Sequence, residues 1–201
     1  MLVATSAGSG RGFGGSSQPA YGYDFDTFAA DLNTLLAKLD LTDVTLVGHS
    51  MGTGEVTRYL GAYGSARVAR ACWCPRSRRS CCKTDDNPEG LPGSLFDGFV
   101  QAAKADGPAW MKGFLDNFYN MDVLGGTLVS DQAFQASWNI ATAASATAAV
   151  ACIPTWETDF RPGDRLTLVL RQRTGARGCR QRRGRPVRSP CPCISTHHPV
   201  T

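Results

Sequence analysis

Apolar residues recur at helical spacing over residues 25–39, where Phe25, Phe28, Leu32, Leu35, Leu36 and Leu39 fall mostly three or four apart. That periodicity predicts an amphipathic helix with all six on one face. Asp24 and Asp26 suit its positive N-terminal end. After a short turn at 41–43, the run VTLV at 44–47 is rich in β-branched residues and closed by Gly48, the pattern of a buried strand. A second helix is expected from about 52 to 63, with Val56, Tyr59 and Leu60 facing inward. Helix–strand–helix over 25–63 is the repeating unit of a parallel α/β sheet.

The flanks read differently. Residues 11–23, RGFGGSSQPAYGY, are loop chemistry. Between 83 and 156 the pattern is mostly helical: Phe96, Phe99, Val100 and Ala103 share one face, Trp110, Phe114, Leu115 and Phe118 another, and the alanine-rich stretch 141–150 reads as helix. A helical segment after a strand layer suits a lid, here about 85–150. Beyond 160, after a brief apolar run at 166–170, the chain is Arg, Gly, Pro and Cys without period. The expected organisation is therefore an incomplete α/β domain over 1–160 and an irregular, disordered tail over 161–201.

A chain of 201 residues suits one domain with a real core. No stretch approaches the ~18 apolar residues of a membrane span. The start MLVATSAGSG has neither a basic n-region nor a long h-region. A cytoplasmic location away from membranes is expected. The net charge of +4 changes meaning once located: windows 71–82 and 161–201 hold 13 of 17 arginines, seven of eight cysteines and one acidic residue, Asp164. The remaining body carries 8 basic and 16 acidic residues, so no basic footprint for a specific nucleic acid runs through the fold.

The chemistry concentrates in LVGHSMG, residues 46–52. A serine between two glycines, after a strand and before a helix, is the G-x-S-x-G elbow that presents a nucleophile on a strained turn. Small residues two before and two after are expected because side chains there would collide across the turn. Gly48 and Gly52 meet that need. The turn lifts Ser50 to the carboxyl edge of the sheet and aims the Met51 backbone N–H, at the helix N-terminus, towards a developing oxyanion.

The likeness extends beyond the elbow. RGFGGSSQP, then YDFDTFAADLNTLLAKLDLTDVTLVGHSMGTGEVTRYLGAYGSARVA, KTDDNPEG, FLDNFYNMDVLGGTLVSDQAFQASWNIA and CIPTWETDF resemble the cofactor-free (non-heme) chloroperoxidases and arylesterases of the α/β-hydrolase superfamily. The resemblance implies a partial α/β-hydrolase fold, Ser50 as nucleophile, the Met51 N–H as half of an oxyanion hole, and no cofactor or metal. It implies a short carboxylate or small ester that acylates the serine, and hydrogen peroxide that attacks the acyl-enzyme. The peracid released oxidises halide, and water in place of peroxide gives ester hydrolysis.

The chain departs from that family in the two odd windows. An apolar strand is expected after Ala69, where this chain reads ACWCPRSRRSCC. Val-Leu-Leu written GTG-CTG-CTG gives TGC, Cys, one base later, and TGG, Trp, where a G follows, so 71–82 is hypothesised to be translated out of frame. Resequencing across codons 70–83 in all frames decides this. The tail holds no family acid, and His197 and His198 lack the flanking pattern of a triad base, reading instead as a solvated pair. Ser9 stands where the family has Asp, and the first strands and the upstream His-Gly loop, which would supply the second oxyanion N–H, are not found. Ser50 is thus expected to have little esterase or peroxidase activity. The sheet is expected to lose flanking strands and expose edges and apolar faces, at a cost in solubility.

Other readings are weaker. Gly10, Gly12 and Gly15 satisfy G-x-G-x-x-G, but loop residues follow rather than a helix. Cys72 and Cys74 with Cys81 and Cys82, or Cys191 and Cys193 with His197, lack zinc spacing at both ends. From another class comes a non-catalytic hydrolase remnant that acts as an interaction protein through its basic arm, binding phosphate non-specifically at most.

Overall fold

The computed structural model describes residues 10–74 and 82–158 and the backbone of 193–195. They fall into two compact units, one drawn mainly from residues 24–74 with the 193–195 strand, the other from 10–23 and 82–157.

The first unit runs α1 (Phe25–Lys38), β1 (Val44–His49), α2 (Gly52–Tyr63), β2 (Val68–Cys74) and β3 (Cys193–Ser195). Asp24 caps α1: its Oδ1 accepts from the Thr27 N–H at 2.8 Å and its Oδ2 from the Thr27 hydroxyl at 2.8 Å. Such a cap contributes about 1 kcal/mol. β1 and β2 run parallel, with Leu46 beside Ala71 and Gly48 beside Trp73, while β3 is antiparallel on the far side of β2. The expected parallel α/β arrangement is therefore present. Ala29 and Leu36 of α1, Val56, Tyr59 and Leu60 of α2, and Val68, Ala71 and Trp73 of β2 form one buried cluster, with Leu32, Val44 and Leu46 packed against it.

Three expectations change. Leu35 and Leu39 are exposed rather than buried with the rest of the α1 stripe: Leu35 lies at the edge of the packed face, and Leu39 is the C-cap, past the last helical residue Lys38. β1 is not buried on both faces: Val44 and Leu46 are half-buried, whereas Thr45 is exposed and Val47 is 67% exposed. In the sheet order β1–β2–β3 it is an edge strand among the described residues. Helix packing reaches one face of it, and nothing among the described residues covers the other at Val47. The third correction runs the opposite way. Where the family's apolar strand is replaced by ACWC, a strand still forms as β2, and Ala71, Cys72 and Trp73 are buried. Cysteine and tryptophan are apolar and tolerated in strands, and the indole N–H of Trp73 finds the buried Thr57 hydroxyl at 3.1 Å.

The second unit is helical: α3 (Gly93–Ala105), α4 (Gly107–Tyr119), α5 (Met121–Leu124), α6 (Asp131–Thr142), α7 (Ala146–Cys152) and a 3₁₀ turn at Ile153–Glu157. Asp106 ends α3 and caps α4, accepting from the Ala109 N–H at 3.0 Å. Phe96, Ala103 and Ile153 are buried together, ringed by Phe99, Val100, Trp110 and Trp156. The alanine-rich stretch is two helices rather than one, because Ser145 breaks it and accepts from the Ala148 N–H at 3.3 Å. Gly12 (φ +82) is pinned by the Ser145 N–H on its carbonyl at 2.9 Å, and a Cβ there would run into Ala148 and Tyr23. Its glycine is a packing requirement. No helix opens at Gly15, which removes the dinucleotide reading. Of the tail, only β3 is described, and the rest of 161–201 lies outside the described residues.

Candidate active site

β1 ends at His49 and α2 begins at Gly52, so Ser50 and Met51 make the whole turn between strand and helix. Ser50 sits at φ +50, in the left-handed region. A non-glycine residue there costs on the order of 1–2 kcal/mol. It is exposed, and its hydroxyl makes no hydrogen bond among the described residues. Strain and exposure in one residue are the features of a presented nucleophile.

The carbonyl of Ser50 is anchored. It accepts the Thr53 N–H at 2.9 Å and the Thr53 hydroxyl at 2.7 Å. Met51 has helical backbone angles, φ −54 and ψ −33, and its carbonyl accepts from Gly54 at 3.0 Å and Glu55 at 3.4 Å. Its N–H belongs to the positive end of a 12-residue helix.

The two flanking glycines are not equivalent. A Cβ on Gly48 would lie 2.5 Å from the Gly52 carbonyl oxygen, 2.8 Å from its carbon and 2.9 Å from Thr53 Cα, all rigid backbone. Gly48 is therefore required. A Cβ on Gly52 would meet nothing within 4 Å, so the expected clash on the helix side does not exist.

Thr53 and Glu55 were not singled out in the sequence. A threonine hydroxyl reaches the carbonyl three residues back in a helical turn, so Thr53 was readable from its spacing to Ser50. Glu55, in the first turn of α2, is pushed up from 4.5 to about 7, chiefly by burial and secondarily by the negative charge of Asp31 on α1. The helix N-terminus favours a charged carboxylate, and here burial outweighs it. No sequence spacing announces that pair, because Asp31 and Glu55 come from different helices.

His49, the one histidine among the described residues, is exposed beside Ser50 on the strand end. His197 and His198 lie outside the described residues, as do Cys81, Cys191 and the side chain of Cys74 from the weaker zinc readings. Among the described residues no group of three or more His, Cys, Asp or Glu side chains is placed to hold a metal ion.

The strand–strained serine–helix arrangement on a parallel sheet defines a class. The family model for the alpha/beta hydrolase fold matches residues 7–166, and the chain belongs to that family. It is 56% identical over 151 residues to a Synechocystis sp. protein named as a non-heme chloroperoxidase, covering 75% of this chain and 55% of that protein. Among solved structures, a bromoperoxidase from Bacillus anthracis superposes with a TM-score of 0.71 at 39% identity, covering 76% of this chain and 56% of that one. An esterase from Exiguobacterium antarcticum gives a TM-score of 0.69 at 29% identity, with 77% and 56% covered. The chain thus spans about half the length of the relatives it matches.

Proposed function

We propose that this chain carries the nucleophile of a serine hydrolase of the non-heme chloroperoxidase and arylesterase type. Ser50 Oγ attacks the carbonyl carbon of a short carboxylic acid or small ester, and water or alcohol leaves as the acyl-serine forms. The Met51 N–H donates to the oxyanion of the tetrahedral intermediate. Hydrogen peroxide then attacks the acyl carbon, releasing a peracid and restoring the serine hydroxyl. The peracid oxidises chloride or bromide to hypohalous acid and returns the carboxylate, and water instead of peroxide completes ester hydrolysis. No cofactor or metal takes part in this scheme. In the same reading the helical segment 85–150 is the lid.

The observation that carries this is Ser50 itself, held at φ +50 and exposed between β1 and α2. The relatives' names, a chloroperoxidase, a bromoperoxidase and an esterase, support both outcomes for the acyl-enzyme. The proposal includes a low rate. Ser50 Oγ touches no base among the described residues, and loss of a triad base lowers turnover on the order of 10⁴–10⁶-fold. A serine-directed fluorophosphonate should label Ser50 slowly and Ser50→Ala not at all. Turnover of p-nitrophenyl acetate at the level of an intact hydrolase, abolished by Ser50→Ala, would refute the impairment while supporting the nucleophile. Equal labelling of both chains would refute the nucleophile.

The second reading is a non-catalytic hydrolase remnant that acts through its arginine-rich arm. The charge distribution favours it, since 161–201 holds 10 of the 17 arginines. Retention on heparin that persists unchanged from low to high salt is the result that would exclude a phosphate-binding arm.

A further inference from the structure

Ser50 is held in a conformation its own side chain disfavours, so something must hold it there. Gly48 makes room for the turn but exerts no pull. The sheet ends at His49 and the helix begins at Gly52, which leaves Ser50 outside both hydrogen-bonded ladders. What ties it to α2 is its carbonyl, and both groups on that carbonyl belong to Thr53: the N–H at 2.9 Å and the hydroxyl at 2.7 Å. Any residue at 53 could supply the N–H. Of the common side chains only Ser or Thr places a hydroxyl over the carbonyl three residues back. At 2.7 Å it is the shorter of the two bonds.

We infer that Thr53 is a positioning residue: its hydroxyl locks Ser50 in the left-handed conformation that presents the Ser50 hydroxyl. The inference rests on the reading of Ser50 as nucleophile for its consequence, but not for its geometry. Ser50 φ and ψ are softened when the hydroxyl bond is lost, because one backbone bond alone then restrains the carbonyl. The β-branch of Thr53 has no part in the lock, so serine serves as well and valine, of the same shape, does not.

The test compares the full chain with Thr53→Val and Thr53→Ser by two readouts. The first is the intraresidue Hα–HN cross-peak of Ser50 in the NMR spectrum, which is strong when φ is positive. The second is the rate of fluorophosphonate labelling at Ser50. Thr53→Val should weaken the cross-peak and slow labelling about fivefold, the equivalent of one neutral hydrogen bond. Thr53→Ser should restore both. The amide signals of Tyr59 and Leu60 report whether α2 itself survives. An unchanged Ser50 cross-peak in Thr53→Val overturns the lock. So does failure of Thr53→Ser to restore it, or a shift at Tyr59 and Leu60 as large as that at Ser50. If the parent chain shows no labelling while the cross-peak responds as expected, the nucleophile reading fails and the lock stands.

Discussion

The two sides of Ser50 look symmetrical in the sequence and are mechanically opposite. On the strand side, Gly48 is buried and its missing Cβ leaves room for the backbone of Gly52 and Thr53, which folds back over it. On the helix side, Gly52 faces open space. The spacing rule G-x-S-x-G treats both as steric requirements, but a strand-to-helix turn crowds only the residue over which the first helical turn closes. The helix side contributes something else: the hydrogen bonds of Thr53 on the Ser50 carbonyl and the positive end of α2.

If the crowding is on the strand side alone, Gly48→Ala should be by far the more damaging of the two substitutions that flank Ser50. The contact of 2.5 Å with a carbonyl oxygen cannot be relieved by a side-chain rotation. Overpacking against backbone costs about 3 kcal/mol. Urea unfolding of Gly48→Ala should show a midpoint lowered accordingly, with labelling of Ser50 lost in parallel. An unaltered midpoint would mean that the turn can open without cost, and the asymmetry would disappear.

The sequence made the helix side legible and the strand side only in part. Both ends of α2 and its three buried residues, Val56, Tyr59 and Leu60, follow from periodicity, and α1 follows from periodicity plus the Asp24 cap. These are local signals, set by residues within a few positions of one another. The exposure of Val47 was not legible, because VTLV has the composition of a strand covered on both faces. Whether a second face is covered depends on elements elsewhere in the chain. β2 was only partly legible for a related reason. ACWC departs from the expected valines and leucines, yet parallel pairing with β1 asks only for apolar side chains that fit, and Trp73 fits by donating to Thr57. The break at Ser145 was readable as a helix cap inside an alanine run, but propensity alone favoured a continuous helix. Glu55 and Asp31 meet only because α1 and α2 belong to one core, so their interaction could not precede the fold.

That pair offers a second way to probe the helix side. The folded pKa of Glu55, about 7, lies above its ordinary 4.5, so the folded chain holds this proton more tightly than the unfolded one. Folding therefore takes up protons between about pH 4.5 and 7, and stability falls as the pH rises through that window. The contribution is fully present below about pH 4.5 and is gone above about 7. Glu55→Gln removes the buried charge. It should raise stability at pH 8 on the order of 1 kcal/mol after allowance for solvent screening, and should change little at pH 4.5. Urea titrations at the two pH values settle it. An equal gain at both would assign the effect to helix propensity or packing rather than to the proton.

The smallest expected effect separates the two glycines most directly. Gly52 opens α2, lies outside the left-handed region, and has no atom within 4 Å of where a Cβ would sit. Its thermodynamic consequences are then the backbone freedom that glycine gives the unfolded chain and its low helix propensity. Alanine at such a position stabilises by about 0.5 kcal/mol, partly through the unfolded state and partly through helix propensity. Gly52→Ala should therefore shift the urea midpoint slightly upward, against the large downward shift of Gly48→Ala. The two substitutions are chemically identical and flank one serine, and helix propensity accounts for only a few tenths of a kcal/mol of the difference. The large loss at Gly48 would come from where the turn closes. A loss of stability in Gly52→Ala comparable with that in Gly48→Ala would show that the first turn of α2 packs more tightly than its open surroundings indicate, and the symmetry implied by the sequence spacing would be right after all.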